Sequence, residues 1–412
     1  MEYGLIGEKL GHSFSKIIHT ELAGYDYSLY EIPKGELDSF MKKADFKAIN
    51  VTIPYKQDVI PYLYEIDDTA KEIGAVNTVV NKNGKLYGYN TDFYGLSALI
   101  KKSEIVIENK KVLILGSGGT SKTASSVAKS MGAKEILKVS RKGGDGLITY
   151  SQAVLNHSDS DVIINTTPCG MYPDIDASPI EIEAFKNLSG VVDVIYNPIC
   201  SKLVVKAKEK GIKATGGLYM LVFQAVSAAE KFIDKKFNES DTERVYKKLL
   251  KDKRNLVLIG MPSCGKTTIG KAVAKELSME FVDSDELIVK KTGLTIPEIF
   301  ETKGEKGFRE IECEVIREIS SLQNKVVATG GGAVLNHNNI ELLKLNGTVV
   351  FIDRPLDLLI TTADRPLSSD RKSLEKRYTE RYDIYCSSAD IIIKADKSLE
   401  ENIKAVKEVF EI

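Results

Sequence analysis

The 412-residue chain has no tryptophan, only four histidines and no excess of either charge: 57 Lys and Arg stand against 58 Asp and Glu, a formal net charge of -1. That balance argues against nucleic acid as the main partner, because phosphate backbones are held by a surplus of Lys and Arg. Apolar residues never run for the roughly 18 positions that a membrane-spanning helix requires. The chain opens on Met1-Glu2-Tyr3-Gly4 without a basic-then-apolar leader, so neither membrane insertion nor secretion is expected. Cysteine is scarce too. Cys169, Cys200, Cys264, Cys313 and Cys386 are odd in number and widely spaced, and no CxxC pair occurs. This gives no zinc pattern and fits reduced thiols in a cytoplasmic protein.

What is present is the composition of an ordinary soluble globular protein, 43% hydrophobic and 28% charged, in a chain too long for one core. Two segments share one local grammar of apolar strand, glycine turn and helix: KVLILGSGGTSKTASSVAKSMG from Lys111 and NLVLIGMPSCGKTTIGKAVAKEL from Asn255. Each anchors its own α/β unit. Between them, residues 234–254 are polar and lysine-rich, nearly without large apolar residues; a linker, partly helical, is placed at 237–253. Before Lys111, short strands alternate with amphipathic helices, and the apolar run after Thr215 starts a long helix. Strand–helix alternation makes parallel sheets the expected scaffold. The predicted layout is α/β throughout: a substrate-binding domain over 1–95 with a return helix at about 218–236, a Rossmann-like domain over 96–217, and a P-loop kinase-like domain over 254–412.

In the front half the strand KVLILG delivers Gly116, Gly118, Gly119 and Thr120 to a helix start. Glycines there let the backbone approach a pyrophosphate, whose charge sits on free N–H groups at the helix N-terminus. The same string also occurs as plain turn chemistry, so the next strand decides. That strand, EILKVS, ends in Ser140-Arg141-Lys142 rather than in an acidic residue. An Asp or Glu would hold a ribose 2′-hydroxyl and repel a 2′-phosphate, whereas an arginine fork matches phosphate. NADP(H) is therefore expected over NAD(H), with Arg141 the stronger of the two contacts, since Lys142 also fits a solvated basic turn.

Further segments complete a set: Gly11-His12-Ser13-Phe14-Ser15-Lys16, then NVTIPYK from Asn50 to Lys56, Gly74-Ala75-Val76-Asn77-Thr78 and Gly88-Tyr89-Asn90-Thr91-Asp92. NTTPCGM from Asn165, DVIYNP from Asp193, and Gly216-Gly217 through Gln224 follow. With these motifs residues 1 to about 235 strongly resemble shikimate dehydrogenase. The resemblance implies that Lys56 and Asp92 form the catalytic pair, an ammonium and a carboxylate suited to deliver a proton to a developing alkoxide. It further implies that Ser13 and Ser15 hold the substrate carboxylate, that Thr52, Asn77 and Gln224 bind ring hydroxyls, and that Tyr196 lines the site. Singly, each has a plain structural reading as a cap, a turn or a buried polar residue; their joint occurrence in order overturns it. His12 is read as structural.

In the back half Gly260-Met261-Pro262-Ser263-Cys264-Gly265-Lys266-Thr267 fits GxxxxGK[ST] between a strand and a helix. Its backbone N–H groups, with Thr268 next in line, cradle nucleotide phosphates; Lys266 reaches the β/γ oxygens and the Thr267 hydroxyl ligates Mg²⁺. Cys264 reads as a small tolerated residue. Beyond the loop stand Asp283 and Asp285, Arg309 through Glu312, Gly330-Gly331-Gly332, Asp364-Arg365-Pro366-Leu367, and Arg381 through Tyr385. Over roughly 254–412 the chain resembles shikimate kinase. Carried over, Asp283 supports Mg²⁺, Asp285 binds and orients the accepting hydroxyl, and Arg309 and Arg381 grip the substrate carboxylate. Gly331 lies against the substrate, and Arg365 belongs to a lid that closes over the phosphates. The family's lid is longer and carries an arginine that packs on adenine; residues 358–363 are short and lack it, and Arg354 stands elsewhere. Arg377 reads as a solvated or structural residue. Together the resemblances imply NADPH-dependent reduction of 3-dehydroshikimate followed by ATP- and Mg²⁺-dependent phosphorylation of shikimate.

Overall fold

The computed structural model describes residues 2–11, 14–359 and 371–411, and the chain divides into two compact units, Met1–Leu249 and Leu250–Ile412. Among the described residues no helix is long and apolar enough to cross a membrane.

The front unit holds two six-stranded sheets. The first contains β1 (Tyr3–Gly7), β2 (Tyr27–Glu31), β3 (Ala48–Val51), β4 (Glu65–Ile66), β5 (Thr78–Lys82) and β6 (Lys85–Tyr89), in the order β2-β1-β3-β5-β6-β4. It is mixed rather than parallel: β1 runs parallel to β2 and β3, but β5 is antiparallel to both β3 and β6. The reason is local. Asn83 and Gly84, at φ 55° and 83°, join β5 to β6 as a two-residue turn, and a turn with both central residues in the left-handed region matches the twist of a tight antiparallel hairpin.

The second sheet contains β7 (Lys111–Leu115), β8 (Glu135–Val139), β9 (Leu147–Ile148), β10 (Val162–Asn165), β11 (Gly190–Asp193) and β12 (Lys213–Thr215), ordered β12-β11-β10-β7-β8-β9. All its paired strands are parallel. The order reverses at β7, which lies between β8 and β10, so a crevice opens beyond its carboxyl end. The helices Thr91–Lys102 and Leu218–Ile233 cross closely, because a Cβ at Gly95 would stand 2.6 Å from Met220 O. Their residues Leu96, Leu99, Ile100, Tyr219 and Met220 share one core with Val112 and Ile114 of β7. This crossing sets Asp92 and Gln224 on one side of the unit.

Residues 239–253, within the segment expected to be a partly helical linker, are helical throughout and contain the division between the two units. They form the helix Glu239–Lys253, whose Thr242, Val245 and Leu249 are buried. Val245 and Leu249 pack with Ile18, Val222, Ala225 and Val226. Thr242, Val245 and Leu249, at helical spacing, suffice to dock an otherwise charged helix in which Lys253 is buried as well, and a composition count conceals that stripe.

The back unit is one parallel sheet of β13 (Asn255–Ile259), β14 (Glu280–Asp283), β15 (Lys325–Ala328), β16 (Gly347–Asp353) and β17 (Ile391–Lys394), ordered β14-β15-β13-β16-β17. Its order reverses at β13, so the loop from Gly260 also leaves a strand at a switch point.

Candidate active sites

In the front unit a cavity of about 270 Å³ lies between the end of β3, the start of the helix Thr91–Lys102 and the helix Leu218–Ile233. Ser15, Thr52, Lys56, Asn77, Asp92, Tyr196 and Gln224 all line it; Ser13, expected beside Ser15, lies outside the described residues. Lys56 Nζ donates to Asp92 Oδ2 at 2.6 Å, with the two side chains 25% and 15% exposed. Asp92 stands in the first turn of its helix, where the dipole favours a carboxylate, and the Asn90 side chain caps that helix by accepting from the Phe93 N–H. A larger groove of about 1350 Å³ along the helices Thr91–Lys102 and Glu239–Lys253 contains none of the expected site residues. Volume therefore does not mark the chemistry here; the convergence of charged and polar groups does.

The dinucleotide loop begins where β7 ends. Gly116, at φ 114°, donates its N–H to Val139 O at 2.8 Å, and a Cβ there would stand 2.7 Å from Thr166 Oγ1. No other residue fits. A Cβ at Gly118 or Gly119 would meet nothing within 4 Å, so the loop is open at the amino end of the helix Gly119–Ser130. Open space against free helical N–H groups fits a pyrophosphate. Thr120 of the same loop lines the substrate-side cavity. Arg141 and Lys142 are exposed just beyond β8, next to the strand end that Gly116 bonds. Asp193, buried at the end of β11, accepts from Asn165 Nδ2 and the Ile195 N–H, each at 3.0 Å, and from Ser201 Oγ at 2.5 Å. Burial pushes its carboxyl up to about 6. It ties β10 and β11 together beneath the segment that carries Tyr196.

In the back unit a cavity of about 610 Å³ opens over the loop after β13. Gly260 and Gly265 take φ 150° and 100°, and the helix Lys266–Leu277 starts at the loop's end. Lys266 Nζ donates to Gly260 O at 2.8 Å and Met261 O at 3.0 Å, and Thr268 faces the cavity. Thr267 Oγ1 donates to Asp283 Oδ2 at 3.0 Å, while Asp283 Oδ1 accepts from the Asp285 N–H at 2.9 Å. A hydroxyl and a carboxylate side by side are hard oxygen donors, the set that suits Mg²⁺.

Asp285, Arg309, Gly331 and Arg381 line the same cavity. The three glycines are there for room: a Cβ would stand 2.6 Å from Asp285 Oδ1 at Gly330, 2.9 Å from Pro262 Cδ at Gly331, and 2.2 Å from Arg309 Nη1 at Gly332. Arg381 Nη1 donates to Gly331 O at 3.1 Å, and the Tyr385 hydroxyl donates to the same oxygen. Arg365 and most of the short lid, residues 360–370, lie outside the described residues. Arg354 Nε donates to Leu358 O at 3.2 Å.

Two further residues line this cavity that the sequence did not single out for it. Glu312 is buried 2.7 Å from Arg309 Nη1, and burial pushes its carboxyl above the ordinary range against the pull of Arg309. The signal was the helical i, i+3 spacing of Arg309 and Glu312. Arg377, expected to be solvated or structural, lines the cavity one turn before Arg381, because positions four apart share a helix face.

A dinucleotide cradle opening onto a Lys–Asp pocket, and a P-loop opening onto an arginine-lined pocket, define an oxidoreductase in front and a phosphotransferase behind. Residues 5–79 match the model of the shikimate dehydrogenase substrate binding domain, and residues 262–411 match that of shikimate kinase. A shikimate dehydrogenase (NADP(+)) of Clostridium beijerinckii is 40% identical over 261 residues, covering 59% of this chain and 96% of its own. One of Methanococcus vannielii is 38% identical over 253 residues, covering 55% and 89%. Among solved structures, a chorismate mutase/shikimate 5-dehydrogenase fusion protein from Clostridium acetobutylicum superposes with a TM-score of 0.56 at 39% identity, covering 60% of this chain and 96% of that one. Shikimate 5-dehydrogenase from Thermus thermophilus, in complex with NADP(H) and shikimate, gives 0.54 at 26% identity, covering 60% and 99%. The chain belongs to the shikimate dehydrogenase family over its front part and carries a shikimate kinase domain behind it; it is an enzyme of both classes, using NADP(H) and ATP.

Proposed function

We propose that the front unit reduces 3-dehydroshikimate to shikimate and that the back unit then phosphorylates shikimate to shikimate 3-phosphate, in the cytoplasm. The observation that carries the first half is the sharing of one cavity by Thr120, from the dinucleotide loop, with Lys56 and Asp92. A cofactor held by that loop and a ring held by that pocket meet there.

Bound NADPH supplies a hydride and bound ATP a phosphoryl group. On the front site Lys56 gives its proton to the ketone oxygen as it becomes an alkoxide, and Asp92 holds the ammonium in place. Ser13 and Ser15 hold the substrate carboxylate, Thr52, Asn77 and Gln224 its hydroxyls, and Tyr196 covers one side. Arg141, with Lys142 beside it, meets the 2′-phosphate. On the back site Arg309 and Arg381, with the Gly331 backbone, grip the carboxylate. Asp285 orients the accepting hydroxyl and takes its proton. Lys266 and Arg365 neutralise the charge in transit, and Thr267 with Asp283 would hold Mg²⁺.

One assay tests the pair. With 3-dehydroshikimate and NADPH alone, NADPH falls and shikimate accumulates, and NADH substitutes poorly. Adding ATP and Mg²⁺ converts that shikimate to its 3-phosphate. Stable NADPH would defeat the front assignment; shikimate untouched by ATP would defeat the back one.

A further inference from the structure

Asn77 is 3% exposed and lines the cavity of Lys56 and Asp92. Which end of its amide can serve a ligand is decided by a backbone group. The Thr91 N–H lies 2.7 Å from Asn77 Oδ1, and a backbone N–H only donates, so the atom opposite is the oxygen. A second backbone group orients the amide behind it. Asn50 Nδ2 lies 3.2 Å from the carbonyl oxygen of Asn77, which only accepts. With Asn50 so oriented, its Oδ1 accepts from the Tyr27 hydroxyl at 2.7 Å, and its Nδ2 also donates to Thr78 Oγ1 at 3.1 Å. Thr78, having accepted, has its own proton to give; Asn77 Oδ1 stands 3.0 Å away and Thr91 Oγ1 3.2 Å. Thr91 Oγ1 is also 3.2 Å from Asn77 Oδ1. Tyr27, Asn50, Thr78 and Thr91 are all buried, so no bulk water replaces a missing partner.

We infer that Tyr27, Asn50, Thr78 and Thr91 form a directional hydrogen-bond chain that fills the oxygen of Asn77 and leaves only its N–H groups for the ring substrate. Asn77 then acts as an obligate donor, and the substrate oxygen seated on it must accept. Thr78 is the positioning residue: it alone takes a proton from Asn50 and passes one toward Asn77. The inference rests on the dehydrogenase reading of this pocket and adds to it the polarity of one substrate contact.

The removal of one hydroxyl tests it. In the full chain, Thr78→Val is expected to raise KM for shikimate oxidation about tenfold with KM for NADP⁺ unchanged, because the Asn77 oxygen loses one donor and the amide is held less firmly, by the Thr91 side alone. Thr78→Ser restores the hydroxyl and is expected to restore KM. On an Asn77→Ala background Thr78→Val should add no further loss, since the orientation it protects no longer matters. An equal loss on both backgrounds, or a parallel rise in both KM values, would overturn the inference by making Thr78 merely structural. Should Thr78→Val fail to fold, Tyr27→Phe carries the same cycle with Asn77→Ala and the same two outcomes. A wild-type chain that does not oxidise shikimate would instead defeat the dehydrogenase reading, and the inference with it.

Discussion

His19 is fully buried against aromatic rings, stacked at 4.2 Å on Tyr27 and 5.4 Å on Phe232, with Nδ1 2.6 Å from the Tyr25 hydroxyl. Burial lowers its pKa from 6.5 to about 3. A folded value below the unfolded one means that the unfolded chain takes the proton first. The stability that neutral His19 supports is therefore complete above pH 6.5 and is lost as the pH falls toward 3, at up to about 1.4 kcal/mol per pH unit. Denaturant unfolding of the front unit should accordingly weaken more steeply on acidification in the wild type than in His19→Phe. Parallel curves for the two would show that this ring is not the cause. Nothing in the sequence around His19 reveals such an environment, because Tyr25, Tyr27 and Phe232 come together only on folding. Lys56 and Asp92 were legible as a pair through their motifs, whereas Asn50 and Thr78 owe their place at the site to partners distant in the chain; Glu312 and Arg377 stand only one helical turn from Arg309 and Arg381.

At the scale of elements, the two glycine turns were legible because each follows an apolar strand and precedes a helix, and both emerge where sheet order reverses. The antiparallel hairpin at Asn83-Gly84 went unread, because the surrounding strand–helix alternation pointed to parallel pairing. The helix Glu239–Lys253 is the clearer lesson. Its charged face dominates composition, while its buried face rests on few residues. If that face docks the helix, Leu249→Ala leaves a cavity among Ile18, Val222 and Val226 and lowers the stability of the front unit by about 2–4 kcal/mol. The unfolding step that NADP⁺ raises would report it. An unchanged transition would return residues 239–253 to the status of a linker. Lys248 and Arg244 on this helix pair with Glu21, and Lys102 with Glu243 at 2.6 Å; being exposed, these pairs contribute little beside the apolar stripe.

For the whole molecule, two units with separate cavities share one polypeptide, which guarantees their co-production but does not require that the intermediate stay bound. A small polar acid diffuses away quickly between turnovers. When labelled 3-dehydroshikimate is processed with NADPH and ATP in a pool of unlabelled shikimate, the label in the phosphorylated product should be diluted as far as free mixing dictates. Label retained above that level would reveal direct transfer.

The sequence by itself determined that there are two nucleotide sites, because anion cradles are local: a strand end, glycines and a helix start adjacent in the chain. Only the tertiary structure decided that the amide oxygen of Asn77 is already occupied and that a lysine-rich stretch is a docked helix. Those outcomes depend on contacts between residues far apart in sequence, where hydrogen-bond direction and burial are set by the packing of the whole fold.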